Sequence, residues 1–271
     1  GVVNDLSHGE PLCPATRIIA GTYEDLSGAD VIAITAGINE QAGKAIDRAD
    51  RLGRLRLLPQ NAKVYADIVP RLTKVVPDAP IIVVTDPPDP LADLTRRFTA
   101  TNPILSTGTF LDSIRFRVQI GRRLGIHPKS VDALVLGEHG TSQVYAWSCV
   151  RVAGALLADQ VSEMGGHAAS FRSEVENAVR YANISIIEGT GASQHGIGIV
   201  TARIVEAILK DEKYVAPVGT YHSAYKVTLS LPTIIGKRGA LGILQPQLST
   251  DELVSLDASA KAISEALANL D

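Results

Sequence analysis

The chain has 271 residues, 45% of them hydrophobic and 20% charged, with a formal net charge of −3. That length and apolar content support a buried core, in one large α/β domain or two smaller ones, and exclude an intrinsically disordered chain. A slightly acidic balance argues against nucleic acid as a partner, and no uncharged apolar run reaches the roughly 18 residues of a membrane-crossing helix. The opening Gly1-Val-Val-Asn-Asp lacks a basic-then-apolar signal pattern, and Cys13 and Cys149 are too few for a disulfide framework. Both features point to a cytoplasmic protein.

Ala29 to Thr35 is a short β-branched apolar run that stops at Ala36-Gly37, as a buried parallel strand does. A polar, Arg-rich stretch from Ile38 to Arg56 follows and reads as too irregular for core. Leu57 to Val75 has helical spacing, with Pro70 expected to kink it. Pro80 to Thr85 reads as a second buried strand, ended by Asp86-Pro87-Pro88-Asp89-Pro90, and Leu91 to Phe98 as helix. Strand and helix alternate here as in a doubly wound parallel sheet.

Beyond that the pattern changes. Thr109 to Leu124 reads as a helix with an apolar stripe of Leu111, Ile114, Val118 and Leu124. Val131 to Leu136 reads as one strand running into Gly137-Glu138-His139-Gly140. Further helices are expected at about 160–187, 196–211 and 249–269, with Lys226 to Ile235 an alternating antiparallel strand between them. The last helix opens with a capping box, Ser249 and Glu252, and carries Leu253, Leu256, Ile263, Leu267 and Leu270 on one face. The expected domain seam lies at Thr107-Gly108-Thr109, dividing the chain into 1–108 and 109–271.

His139 follows a buried strand directly, in the kind of loop where α/β enzymes keep their sites, and its imidazole suits acid–base work near neutral pH. A purely structural loop histidine fits the same context. His8, His127, His167 and His222 read as surface or capping residues. Asp112 and Arg115 lie three apart on one helix, so they can share a space. A carboxylate there can orient a histidine and an Arg fork can bind a substrate carboxylate, while a surface ion pair is the plainer reading. The arginines at 48, 51, 54 and 56 read as a solvated loop unless closure delivers one to a site. Gly189-Thr190-Gly191-Ala192-Ser193-Gln194 imitates a dinucleotide-binding turn but has Gln at its sixth place and helical spacing before it, so it is rejected. No full G-x-G-x-x-G occurs in the sequence.

Taken together, Asn4-Asp5-Leu6-Ser7-His8-Gly9, Ile34-Thr35-Ala36-Gly37, Thr107-Gly108-Thr109, Leu111 to Arg117, Leu136 to Gly140 and Leu229-Ser230-Leu231-Pro232 resemble the lactate/malate dehydrogenase family. The Gly-Glu-His-Gly-x-Ser form is most similar to L-lactate and L-2-hydroxyisocaproate dehydrogenases. The resemblance implies a Rossmann-like α/β fold, lacking its first βαβ unit, followed by an α+β catalytic domain. It implies NAD as cofactor, a small 2-hydroxy or 2-oxo acid as substrate, no metal, and a homo-oligomer, dimer or tetramer. By the same resemblance His139 is the acid–base group, Asp112 orients it, and Arg115 clamps the substrate carboxylate. A loop arginine, Arg54 ahead of Arg48, polarises the carbonyl. Ser193 lines the substrate pocket, and Tyr23, Gly37, Thr85 and Thr107 fall at cofactor-contact positions.

Three departures qualify it. The family's opening strand, glycine-rich turn and ribose-binding acid, about 30–50 residues in all, would precede Gly1, which predicts a longer parent chain or weak NAD binding. The specificity position, three past Gly37, is Glu40, which would repel a second substrate carboxylate. Malate is therefore disfavoured, and a neutral or cationic side chain is expected on the substrate. The family's Asn-Pro is Asp86-Pro87, and an ionised Asp cannot donate a hydrogen bond to substrate. Arg117 matches an arginine of the fructose 1,6-bisphosphate site in responsive relatives, but Asp132 replaces its histidine, so no activation by that sugar is expected. A wider-pocketed 2-hydroxyisocaproate enzyme and a catalytically impaired structural relative stay open as alternatives.

Overall fold

In the computed structural model, residues 1–12, 16–50, 52–157 and 168–270 are described. Strands β1 (Ile32–Ile34), β2 (Ile81–Val83) and β3 (Ile104–Ser106) run parallel and in register, Ile32 opposite Ile81 and Ile81 opposite Ile104. β3 then meets the long strand β9 (Tyr214–His222), which continues antiparallel through β10 (Val227–Gly236) to β11 (Gly239–Ile243). The sheet order β1-β2-β3-β9-β10-β11 thus joins a parallel half to an antiparallel half. Central β2 is buried at every position, because helices cover both of its faces, whereas outermost β1 buries Ile32 and Ile34 and exposes Ala33.

Helix α1 is Val2–Ser7, α2 is Leu58–Val75 and α3 is Pro88–Arg97. Prolines at the start of α2 and α3 cost nothing there, since a first-turn N–H has no helical partner. This is why α3 begins inside the Pro-rich segment that was expected only to end a strand. Helix α4, Phe110–Leu124, follows β3 after the three residues Thr107-Gly108-Thr109 and closes on Gly125 in the left-handed region, φ 68°. Its buried side is Phe110, Leu111, Phe116 and Ile120; the expected stripe of Ile114, Val118 and Leu124 is only half-buried. Phe116 stacks edge-on against Trp147 at 4.7 Å and Tyr145 at 5.4 Å, and burial of such a ring contributes about 1.5–3 kcal/mol.

Val131 to Leu136 is not one strand. Val131–Asp132 (β4) pairs with Arg151–Val152 (β7), itself paired with Ala155–Leu156 (β8), and Val135–Leu136 (β5) pairs with Val144–Tyr145 (β6). The expected helix at 160–187 comprises α5 (Ala168–Arg180) and α6 (Ala182–Thr190) in its described part; its first residues lie outside the described set, as do Cys13, Arg51 and His167. Helices α7 (His195–Leu209) and α8 (Thr250–Ala268) complete the order, and both bonds of the Ser249–Glu252 capping box are made. On α8, Leu256, Ile263 and Leu267 are buried with Ala260, whereas Leu253 faces solvent. β10 does not alternate: nine of its ten residues are buried, being sandwiched between α3 and α8 on one side and α7 on the other.

Candidate active site

A cleft of about 620 Å³ opens at the carboxyl ends of β1 and β2 and is walled by α4 and α7. It is where an open α/β sheet binds ligands. Gly37, Glu40, Arg54, Thr85, Asp86, Thr107, Arg115, His139 and Ser193 all line it, which gathers nearly the whole set of residues singled out in the sequence. Tyr23 is not among them: it lines a separate depression with Ile19 and Leu26, and the Arg71 guanidinium lies 5.7 Å from its ring. Arg48 is elsewhere too, bound to Glu188 on the surface at 2.6 Å.

His139 is 6% exposed and Asp112 1% exposed. The His139 Nδ1 hydrogen-bonds Asp112 Oδ2, which turns Nε2 toward the cleft. Arg115 Nη1 donates to the other Asp112 oxygen at 3.0 Å, so the i,i+3 pair is an ion pair, but a buried one. Burial raises the Asp112 carboxyl; the charge and hydrogen bond of His139, with Arg115 and Arg54, outweigh it and hold the group well below the usual carboxylate range.

In the loop before α2, Arg48 and Arg56 are solvated, as expected, whereas Arg54 is the arginine delivered to the site. Gly53–Leu57 forms a 3₁₀ turn in which Arg54, Leu55 and Leu57 are buried, and Arg54 lines the cleft. Its Nε lies 3.3 Å from Asp86 Oδ2. Burial disfavours the guanidinium, yet Asp86, Asp112, Glu40 and Glu138 together keep it more firmly charged than usual. Asp86 Oδ1 also stands 3.6 Å from His139 Nε2. Glu40 is pushed up by burial and by the neighbouring Asp86 carboxylate. Arg54, Asp86, Glu40 and His139 thus share one electrostatic space.

Several contacts that build the site left no signal in the sequence. Asn61 Nδ2 donates to the Asp86 carbonyl at 2.6 Å and the Ile38 carbonyl at 3.1 Å, while its Oδ1 accepts from Ile38 N–H at 2.6 Å. It ties the β1 and β2 exits together. A Cβ on Gly37 would stand 2.3 Å from Thr85 Cγ2, so this close approach requires glycine. Thr85 Oγ1 donates to the Ala36 carbonyl at 2.9 Å across the same junction. Glu138, fully buried and pushed up by that burial, accepts from Ser142 while its own N–H donates to Ser259 Oγ at 2.7 Å. An apolar-to-polar alternation cannot announce such partners, because all of these contacts except Glu138 with Ser142 act across more than twenty residues of chain. The rejected glycine turn is indeed the end of α6, with Gly191 at φ 81°. His127 caps a 3₁₀ turn by accepting from Lys129 N–H, as a capping histidine should.

Residues 1–105 match the family model of the lactate/malate dehydrogenase NAD binding domain, and residues 109–270 that of the lactate/malate dehydrogenase alpha/beta C-terminal domain. The chain belongs to the lactate/malate dehydrogenase family. It is 38% identical to an L-lactate dehydrogenase of Deinococcus radiodurans over 94% of this chain and 82% of that one. It is 37% identical to an L-lactate dehydrogenase of Chloroherpeton thalassium, over 97% of this chain and 85% of the relative. Among solved structures it is similar to the minor L-lactate dehydrogenase of Enterococcus mundtii in ligand-bound form, with a TM-score of 0.89 and 29% identity over 99% of this chain and 85% of that one. Among the described residues no helix is long and apolar enough to cross a membrane.

Proposed function

We propose that the chain is an NAD-dependent oxidoreductase interconverting an L-2-hydroxy acid and its 2-oxo acid, with lactate and pyruvate the first pair. The observation that carries this is the buried Nδ1-to-carboxylate contact of His139 with Asp112, which leaves one imidazole nitrogen facing a cleft that also holds two arginines. Family membership supports it, as do the relatives named L-lactate dehydrogenase. Val84, Leu111, Ile197 and Val205 form an apolar wall, with Thr85 and Thr107 at its polar edge, which fits a flat nicotinamide ring. When bound, NAD supplies the two-electron acceptor or donor at the substrate carbon.

The chain's own residues do the rest. His139 Nε2 removes the hydroxyl proton in oxidation and returns it in reduction, while the Asp112 carboxylate fixes the tautomer and orients the ring. Arg115 binds the substrate carboxylate through its fork, with Asp112 holding the guanidinium in place. Arg54 faces the developing oxyanion and Ser193 borders the substrate side chain. Gly37, Thr85 and Thr107, which line the cleft, would border bound NAD. Tyr23, outside the cleft, is not part of this reading. Glu40 and Asp86 make the site two carboxylates richer, which disfavours a dicarboxylate such as malate. We further place the protein in the cytoplasm as a homo-oligomer and divide it at 108/109, a division supported by family-model matches that end at 105 and resume at 109.

The test is NADH consumption by the purified chain with pyruvate, 2-oxoisocaproate and oxaloacetate in parallel. Consumption with pyruvate leading and oxaloacetate last supports the reading. A lead for 2-oxoisocaproate moves the substrate to the wider-pocket alternative, and consumption with oxaloacetate alone refutes the charge argument.

A further inference from the structure

One buried ionisable group takes no part in the chemistry above. Asp89 lies in the first turn of α3, fully buried, with both carboxyl oxygens engaged. Ser106 Oγ donates to Oδ1 at 2.6 Å, and the backbone N–H of His139 donates to Oδ2 at 2.8 Å. Ser106 ends β3 and accepts in turn from Gly108 N–H at 3.1 Å. One carboxylate therefore joins α3, β3 and the loop of His139. Gly219 of β9 closes the chamber: a Cβ there would stand 2.1 Å from Ser106 Oγ and 2.3 Å from Asp89 Oδ1. Strand backbone packs so close that the carboxylate has no room to turn away.

An acid is an expensive choice for such a place. Burial pushes the Asp89 carboxyl up to about 7, against the pull of Ser106, the His139 N–H and the charge on His139. A neutral acceptor would satisfy the same donors more cheaply, so the negative charge calls for an explanation. The group whose positive charge couples to it is His139, whose imidazole also faces Asp112 of α4 and Asp86 at the exit of β2, with Glu138 as chain neighbour and the Arg54 cation across the cleft.

We infer that Asp89 is a positioning residue, fixing the His139 backbone so that the imidazole reaches Asp112 and the cleft together, and adding an anion beside the imidazolium. This rests on reading His139 as the acid–base group. Asp89 does not line the cleft, so within the site it acts through His139 without touching substrate.

Two variants of the whole chain test it. In Asp89→Asn the amide oxygen keeps the His139 N–H and the amide nitrogen turns to Ser106, so position survives and charge is lost. In Asp89→Ala both are lost. Asp89→Ala is expected to lower kcat for pyruvate reduction about 10- to 100-fold, the scale of a displaced reacting group, with KM within about threefold. Asp89→Asn is expected to restore most of kcat but to move the pH at which reduction falls off to lower values, because an anion favours the imidazolium. The His139 ring protons, followed by NMR against pH without substrate and assigned with His139→Gln, report the same shift independently of turnover. A parent that turns over no 2-oxo acid contradicts the dehydrogenase reading, and the NMR shift then still decides the role of Asp89. Unchanged kcat in Asp89→Ala, or an unmoved pH profile and ring titration in Asp89→Asn, overturns the inference. Asp89→Asn carries the test alone if Asp89→Ala does not fold.

Discussion

The two ends of the cleft are built on different electrostatic plans. At one end, Asp112 is set between His139 and Arg115, with each contact buried and each charge answered by its opposite. At the other, Arg54 faces Asp86 and Glu40, two carboxylates for one guanidinium, on a loop rather than on a regular element. Three rigid attachments hold the first end: α4, the exit of β5 and, through Asp89, α3. The second hangs on the 3₁₀ turn Gly53–Leu57 and on Asn61. Under the proposed function, proton transfer is organised in advance here, whereas carbonyl polarisation competes with an internal ion pair.

Breaking the first end has the largest expected effect. His139→Ala removes the proton carrier, and turnover falls by on the order of 10²–10⁴-fold while NADH binding persists; steady-state rates beside a fluorescence titration check both halves. Arg115→Leu comes next. It removes one of the buried cationic partners of Asp112, leaving His139 to hold it, a loss of about 3 kcal/mol in stability, and raises KM for pyruvate far more than it lowers kcat. Thermal unfolding and a substrate series measure the two effects.

Changes at the second end are smaller and of opposite sign. Asp86→Asn frees Arg54 from its carboxylate and gives the substrate oxygen a donor, so kcat/KM for pyruvate rises by about tenfold, or about 1.4 kcal/mol. A fall would mean that the Arg54–Asp86 pair is itself the working arrangement. Glu40→Gln gives a lesser gain with a pH signature. Burial and Asp86 keep the Glu40 proton to higher pH than in an exposed glutamate. The parent's site is therefore least negative in acid, and the advantage of Glu40→Gln shrinks as pH falls from 8 to 5. Rate profiles of the two proteins, measured together, settle this.

Stability carries a last, quieter contrast. The Asp89 carboxyl, raised in the fold to about 7 from 3.8, contributes stability that is fully present below 3.8 and lost as pH rises through 7. Asp112, held low, contributes in the opposite sense: its stability is present above the ordinary carboxylate range and lost only in strong acid. Asp89→Asn is therefore more stable than the parent at pH 8, by on the order of 1–3 kcal/mol, and the gap narrows toward pH 5. Denaturant midpoints at the two pH values check it.

How much of this was legible in the residues divides along the same line. His139, Asp112 and Arg115 stand on a strand exit and a helix, where period and spacing state which side chains meet. The parallel strands and the capped last helix were legible for that reason too. The Arg54 loop was not, because no periodicity describes a 3₁₀ turn, and only family register favoured Arg54 over Arg48. β10 looked amphipathic, yet it is covered on both faces, a fact set by α3, α7 and α8 rather than by its own pattern. Asp89, Asn61 and Ser259 act through hydrogen bonds to distant backbone, which leave no local trace.

The central claim is that His139 is the proton carrier of a nicotinamide-dependent reaction in this cleft. NADH fluorescence titration of the chain and of His139→Ala, followed by addition of pyruvate, tests it most directly. Saturable binding by both proteins, with NADH consumed by the parent alone, is the expected result. Equal consumption by both, or a failure of the parent to bind NADH, would contradict it.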